Sequence, residues 1–176
     1  MMASVFVGAS VDGFIARQNG GLDWLPTGGE PHGYDEFIAG VDTIVIGRKT
    51  FETVLSFEAW PYGKKQVVVL SSHPIDLSTA AAHGGVVEQM GGSPAEIVAN
   101  LAARGAQHLY VDGGITIQRF LRAKLIQRLV ITRVPVLIGD GIPLFGSLLQ
   151  DTQLRHIVTR SYPSGLVQSE YEVGAE

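Results

Sequence analysis

Residues 108–123 read H-L-Y-V-D-G-G-I-T-I-Q-R-F-L-R-A, and the way this stretch folds decides the architecture. His108–Val111 is a short apolar run with no polar alternation, the pattern of a strand covered on both faces. Asp112, Gly113 and Gly114 follow, residue types that let a chain turn out of a sheet. Thr116–Ala123 then takes up helical spacing. A strand covered on both faces needs helices on both sides, so this strand, glycine turn and helix predict a mostly parallel sheet.

Working outward, the same unit recurs. Val5–Ala9, Thr43–Ile46 and Gln66–Leu70 are further apolar runs, ending at Ser10, Gly47 and Ser71. Tyr34–Ile38, Lys49–Leu55 and Pro94–Arg104 supply helices between them. The last is announced by Ser93 and Glu96 as a capping box, with Pro94 at the first helical position, where its missing N–H costs nothing. Beyond Ala123 the texture changes. Arg128–Val134, Leu154–Tyr162 and Leu166–Val173 read as strands, with Pro163-Ser164-Gly165 turning the last two into a hairpin. The expectation is an α/β fold of three layers, α/β/α, with an antiparallel C-terminal hairpin. Gln18–Gly33 and Gly84–Gly92 read as flexible loops without the length or composition of linkers, so residues 1–176 are expected to form a single domain.

The 176 residues carry 13 Lys and Arg against 17 Asp and Glu, with 45% hydrophobic residues and no cysteine. The absence of cysteine removes disulfides, thiol nucleophiles and Cys-based zinc sites. A net charge of −4 with no basic run argues against a nucleic-acid surface. No window approaches 18 consecutive apolar residues and no secretory signal opens the chain, so neither a membrane span nor export is expected and the cytoplasm is the expected compartment. The five histidines show no metal-ligand spacing, and no metal is expected.

In open α/β sheets, ligands bind beyond the carboxyl ends of the strands. There the chain places Gly47-Arg48-Lys49-Thr50, Ser71-Ser72 and Gly113-Gly114. Each has a bland reading, as a turn, a solvated cation pair or a loop. Together they suit a dinucleotide: two helix starts for a diphosphate, and cations with hydroxyls for a further monophosphate, favouring NADP over NAD. No G-x-G-x-x-G follows the first run, which counts against an ordinary Rossmann dehydrogenase. Asp12, Asp35 and Glu36 are candidate proton donors or substrate anchors, although a solvated role is the default for each. Trp24 and Phe37 are candidate walls for a ring-shaped substrate, although such aromatics are more often core.

V-F-V-G-A-S-V-D-G-F-I-A, D-W-L-P, V-I-G-R-K-T-F, V-L-S-S-H-P, Y-V-D-G-G with F-L after it, L-V-I-T-R and I-G-D-G-I-P-L-F follow one another along the chain. In that order they resemble the dihydrofolate reductase superfamily, and more closely the stand-alone relatives of the C-terminal reductase domain of riboflavin biosynthesis. The resemblance runs from Ala3 to about Phe145. It implies an eight-stranded, mostly parallel mixed sheet with NADPH across the strand ends. Ala9, Ile15 and Ala16 would line the nicotinamide end. Gly47, Arg48, Lys49 and Thr50 would hold phosphates and ribose, Leu70, Ser71 and Ser72 the adenosine 2′-phosphate, and Gly113, Gly114, Ile115 and Thr116 the diphosphate. Trp24, Phe37 and Thr132 would contact substrate, and the Gly113–Gly114 bond would be cis.

Where dihydrofolate reductases bind the pterin ring with an acid, the resemblance aligns Gly33, with Asp35 and Glu36 nearby. Lys64 stands in place of the arginine that grips folate. The deaminase partner of riboflavin biosynthesis needs cysteines that this chain lacks. The expected activity is NADPH-dependent hydride transfer to a small heterocycle, such as a pyrimidine or ribosylaminopyrimidine phosphate. Asp12, a carboxylate near Asp35 or water would supply the proton. The alternatives are a dihydrofolate or pterin reductase, and a nucleotide-binding regulator or scaffold without turnover. The resemblance further implies a homodimer.

Overall fold

The computed structural model describes residues 1–27 and 29–174. In chain order the elements are β1 (Met2–Ser10), β2 (Phe14–Ala16), α1 (Tyr34–Ala39), β3 (Thr43–Gly47), α2 (Arg48–Leu55), β4 (Gln66–Leu70), α3 (Ser78–Ala82) and β5 (Val86–Met90). They continue as α4 (Pro94–Ala103), β6 (His108–Asp112), α5 (Gly114–Arg122), β7 (Arg128–Val134), β8 (Ile142–Pro143), β9 (Leu154–Ser161) and β10 (Val167–Val173). Eight strands form one sheet in the order β5-β4-β3-β6-β1-β7-β10-β9. Neighbours are parallel from β5 to β7 and antiparallel through β10 and β9. This is the three-layer mixed sheet expected from the sequence.

The unalternating runs are strands with apolar side chains on both faces. Val5, Val7 and Ala9 face α4 and α5, where Ile97, Leu101, Ile117 and Phe120 pack against them. Phe6, Ile44 and Ile46 face the other way, toward Phe37 of α1, Phe51 and Val54 of α2 and Ala80 of α3. Burying such a side chain contributes about 1.5–3 kcal/mol. Ser93 caps α4 through the reciprocal bonds with Glu96 that its sequence announced.

Two expectations need correction. Gly84–Gly92, read as a flexible loop, contains β5, an edge strand paired in parallel with β4. Its sequence V-V-E-Q-M lacks the apolar run of the interior strands because one side of an edge is open to water, as the exposure of Val86 shows. The Gly113–Gly114 bond is trans, there being no cis peptide among the described residues, and Gly113 turns instead through a positive φ of 99°. Only glycine adopts that conformation at little cost.

The sheet also has a topological switch. After β3 the chain enters α2 on one face, and after the adjacent β6 it enters α5 on the other. Helices leaving neighbouring strands in opposite directions open a crevice between their starts, the usual ligand position in such sheets. Among the described residues no helix is long and apolar enough to cross a membrane, and no group of three or more His, Asp or Glu is placed to hold a metal ion.

Candidate active site

At the crevice the two helix starts interlock. Gly47 and Gly113 are the N-caps of α2 and α5, and neither helix has a side-chain cap, so first-turn N–H groups lack a partner there. A methyl group on Gly47 would meet Thr116 Oγ1 at 2.8 Å, and one on Gly113 would meet Thr50 Oγ1 at 2.5 Å. Each threonine is the third residue of its helix and packs on the other helix's cap. Gly114 is as tightly held, since a methyl there would meet Ile142 Cγ2 and Pro143 O at 2.9 Å and Ile15 Cδ1 at 3.3 Å. The small β2–β8 ladder thereby brings Ile15 to the start of α5.

From Arg48 the rim continues into a cavity of about 430 Å3. Its polar lining is Arg48, Ser71, Ser72, His73 and Arg119, over an apolar floor that includes Leu70 and Met90. Gly47, Arg48, Thr50, Leu70, Ser71, Ser72, Gly113, Gly114, Thr116 and Ile15 thus lie along one edge of the sheet. The RibD C-terminal domain model matches residues 3–168. The chain belongs to that family.

Among curated proteins, the chain is 32% identical over 162 residues to YwjB of Bacillus subtilis, an uncharacterized protein, covering 90% of each chain. Among solved structures, it is similar to a putative riboflavin biosynthesis protein from Shewanella sp. PV-4, at 38% identity and TM-score 0.90, covering 99% of this chain and 100% of the other. A diaminohydroxyphosphoribosylaminopyrimidine deaminase/5-amino-6-(5-phosphoribosylamino)uracil reductase from Thermotoga maritima shares the fold at 14% identity and TM-score 0.76, with 97% of this chain matching 56% of that longer one.

Within this RibD-type fold the other expected residues are dispersed by role. Ala9 and Ala16 are buried beside the β2 turn. Lys49 is exposed, and Ile115 points largely into solvent at 60% exposure. Asp35 is exposed in the first turn of α1. Asp12 anchors a loop: its carboxylate accepts from Gly139 N at 2.8 Å and Ile138 N at 3.3 Å. The Ser10 hydroxyl and these two amides hold its pKa below the usual value. Phe37 lies in the core, with its ring 4.9 Å from Phe6 and 5.1 Å from Tyr110. One turn earlier on the same face, Tyr34 is half-buried, its ring 5.5 Å from that of Phe6.

Thr132 is buried and accepts from Gln168 Nε2 at 2.9 Å, and the same nitrogen donates to His32 O at 2.8 Å. Gln168 therefore fastens the loop over the sheet to β7 and β10. Ser164, in the hairpin turn, donates to the Glu30 carboxylate and adds a second fastening. Under this loop, Leu25 reaches β1 where Gly8 leaves room, a methyl there meeting Leu25 Cδ2 at 3.1 Å. The buried indole N–H of Trp24 has no hydrogen-bond partner among the described residues.

Sequence reasoning missed Asp112. Strand alternation puts His108, Tyr110 and Asp112 on the face of α1 and α2, and Asp112 stands opposite Ile46 at the strand ends. Its residue surface is only partly buried, but its carboxyl is deeply enclosed, and burial raises its pKa against the opposing hydrogen bond from Gly113 N at 2.8 Å, while the Tyr110 hydroxyl on the same face donates to Phe6 O at 3.0 Å. Burial, with the charge of Asp112 adding to it, pushes Tyr34 up to about 12 and Tyr62 and Tyr110 well above their ordinary value. One enclosed carboxyl therefore sits beside the glycine pair, its charge felt by three tyrosines. The alternation from Tyr110 was the available signal.

Proposed function

We propose that the chain is an NADPH-dependent reductase of a small heterocycle, acting in the cytoplasm, with 5-amino-6-(5-phosphoribosylamino)uracil as the preferred class of substrate. The observation that carries this reading is the shared rim: two helix starts without side-chain caps at a topological switch, continuous with a cationic cavity that no carboxylate among the described residues lines. These residues fit a dinucleotide, since amides approach closely only where Gly47 and Gly113 lack side chains.

When bound, the coenzyme supplies a hydride to the carbon of a C=N or C=O group and leaves as NADP+, while the heteroatom of that group takes a proton. The chain's own contribution is orientation and proton placement. The starts of α2 and α5 bind phosphate, and Ile15 with Gly114 borders the nicotinamide end. Asp112, at the strand end beside Gly113 and with its pKa raised by burial, is the carboxyl assigned to hold a ring N–H or deliver the proton. Asp12, held ionised by its partners, is less suited to that task. The Trp24 indole N–H is a further donor for the substrate.

Coenzyme absorbance measured with a panel of aminopyrimidine phosphates and pterins tests the reading. Oxidation of NADPH with the phosphoribosylaminouracil supports it. Turnover of dihydrofolate alone favours the pterin reductase. NADPH binding without any oxidation supports the regulator. Failure to bind NADPH sinks all three. The reading includes a homodimer, for which β9 offers an exposed edge bearing Leu154 and Ile157; sedimentation at the mass of one chain would exclude it.

A further inference from the structure

The cationic cavity receives an arginine from each of two helices that the sheet sends to opposite faces. Arg48 opens α2. Arg119 lies on α5, three residues after Thr116 and on the same side of that helix, so the turn that packs Thr116 against Gly47 also aims Arg119 at the cavity. Position 119 falls between the motifs that carry the family resemblance.

Each guanidinium is held by few of its donors. Arg119 Nη2 donates to Gly92 O at 3.2 Å, and Arg48 Nε donates to Glu52 at 2.9 Å. A guanidinium has five N–H donors, so most remain for a ligand. The Arg48–Glu52 pair is more than half exposed on both sides, at 58% and 57%, and such pairs hold weakly. Ser71, Ser72 and His73 complete the polar lining, and among the described residues no carboxylate lines the cavity itself, Glu52 pairing with Arg48 from along α2. Like charges sharing a cavity repel unless an anion lies between them. In a chain with a net charge of −4, this concentration of cations suits a doubly charged group.

We propose that Arg119 is a specificity-determining residue that closes, with Arg48, a two-sided clamp on a phosphate monoester of the adenosine ribose. The assignment rests on the coenzyme reading above and extends it to a residue that distinguishes NADPH from NADH. Isothermal titration of the wild type, Arg119→Gln and Arg119→Lys with NADPH, NADH, 2′,5′-ADP and 5′-AMP tests it. Glutamine keeps an N–H donor for the Gly92 carbonyl but removes the charge, whereas lysine keeps the charge but not the planar fork.

Arg119→Gln is expected to weaken NADPH and 2′,5′-ADP about ten-fold or more, the scale of one charge-assisted bond, while NADH and 5′-AMP stay within about two-fold. Arg119→Lys is expected to fall between. Equal losses for both members of each pair would show that Arg119 only supports the Gly92 turn and would overturn the assignment. Unchanged affinities would overturn it as well. A wild type that binds none of the four ligands overturns the coenzyme reading itself, while a wild type preferring NADPH whose preference survives Arg119→Gln overturns the clamp alone.

Discussion

Asp112 and Asp12 are carboxyls perturbed in opposite directions, and the difference is testable. Burial raises the pKa of Asp112 in the folded chain. A carboxyl with a raised folded value costs stability as pH climbs from its unfolded value of 3.8 through the folded one. Asp112→Asn should therefore melt at a higher temperature than wild type at neutral and alkaline pH, with the gap closing below the ordinary carboxylate range. The same variant should lose about 100-fold or more in turnover, the usual scale for removing a proton-transfer group. Equal melting temperatures at all pH values would refute the burial argument, and full activity would refute the catalytic one. Asp12 has a lowered pKa, so its contribution is present above 3.8 and fades as pH falls through the lower folded value. Asp12→Asn should accordingly lower the melting temperature at neutral pH and matter less in acid. The two residues were not equally legible. Asp12 stands out in a turn, whereas Asp112 looks like a turn residue before two glycines until its strand's alternation and its register with Ile46 are known. Arg119 was hidden for a similar reason, because the side of a helix that meets a cavity depends on where the helix starts.

At the scale of elements, the paired caps make α2 and α5 interdependent. Gly47 has an extended backbone, φ −79° and ψ 167°, that any residue adopts. Alanine there is opposed only by Thr116 Oγ1. Gly47→Ala should destabilise the fold by about 1–3 kcal/mol, as overpacking does. Thr116→Ala in the same chain should restore much of that loss, giving clear non-additivity in denaturant titrations. Additive effects would show that the helix starts do not press on each other. The interior strands and the C-terminal hairpin were readable because apolar runs covered on both faces leave a strong pattern. The five residues of α3 and the two of β8 are too short to carry a period, and β5 has the mixed composition of an edge. Their positions are set by pairing and packing rather than by local pattern.

At the scale of the molecule, the rim takes one helix start from each side of the sheet, so a dinucleotide bound there would couple both layers to one ligand. NADPH at about 100 times its dissociation constant should stabilise the fold by about 2.7 kcal/mol. For a chain of this size that raises the melting temperature by roughly 5–10 °C. NADH at the same concentration should give a smaller shift, and equal shifts would count against recognition of the monophosphate. The fastening of the covering loop has another consequence. Gln168 and Ser164, which tie down His32 and Glu30, come from the final hairpin, while the turns proposed to bind phosphate are complete by Thr116. On the ribosome, the cradle is therefore synthesised well before its clasp. A chain halted by a premature stop codon after β7 would retain the glycine turns, but would lack both hydrogen bonds that fasten the cover from the hairpin.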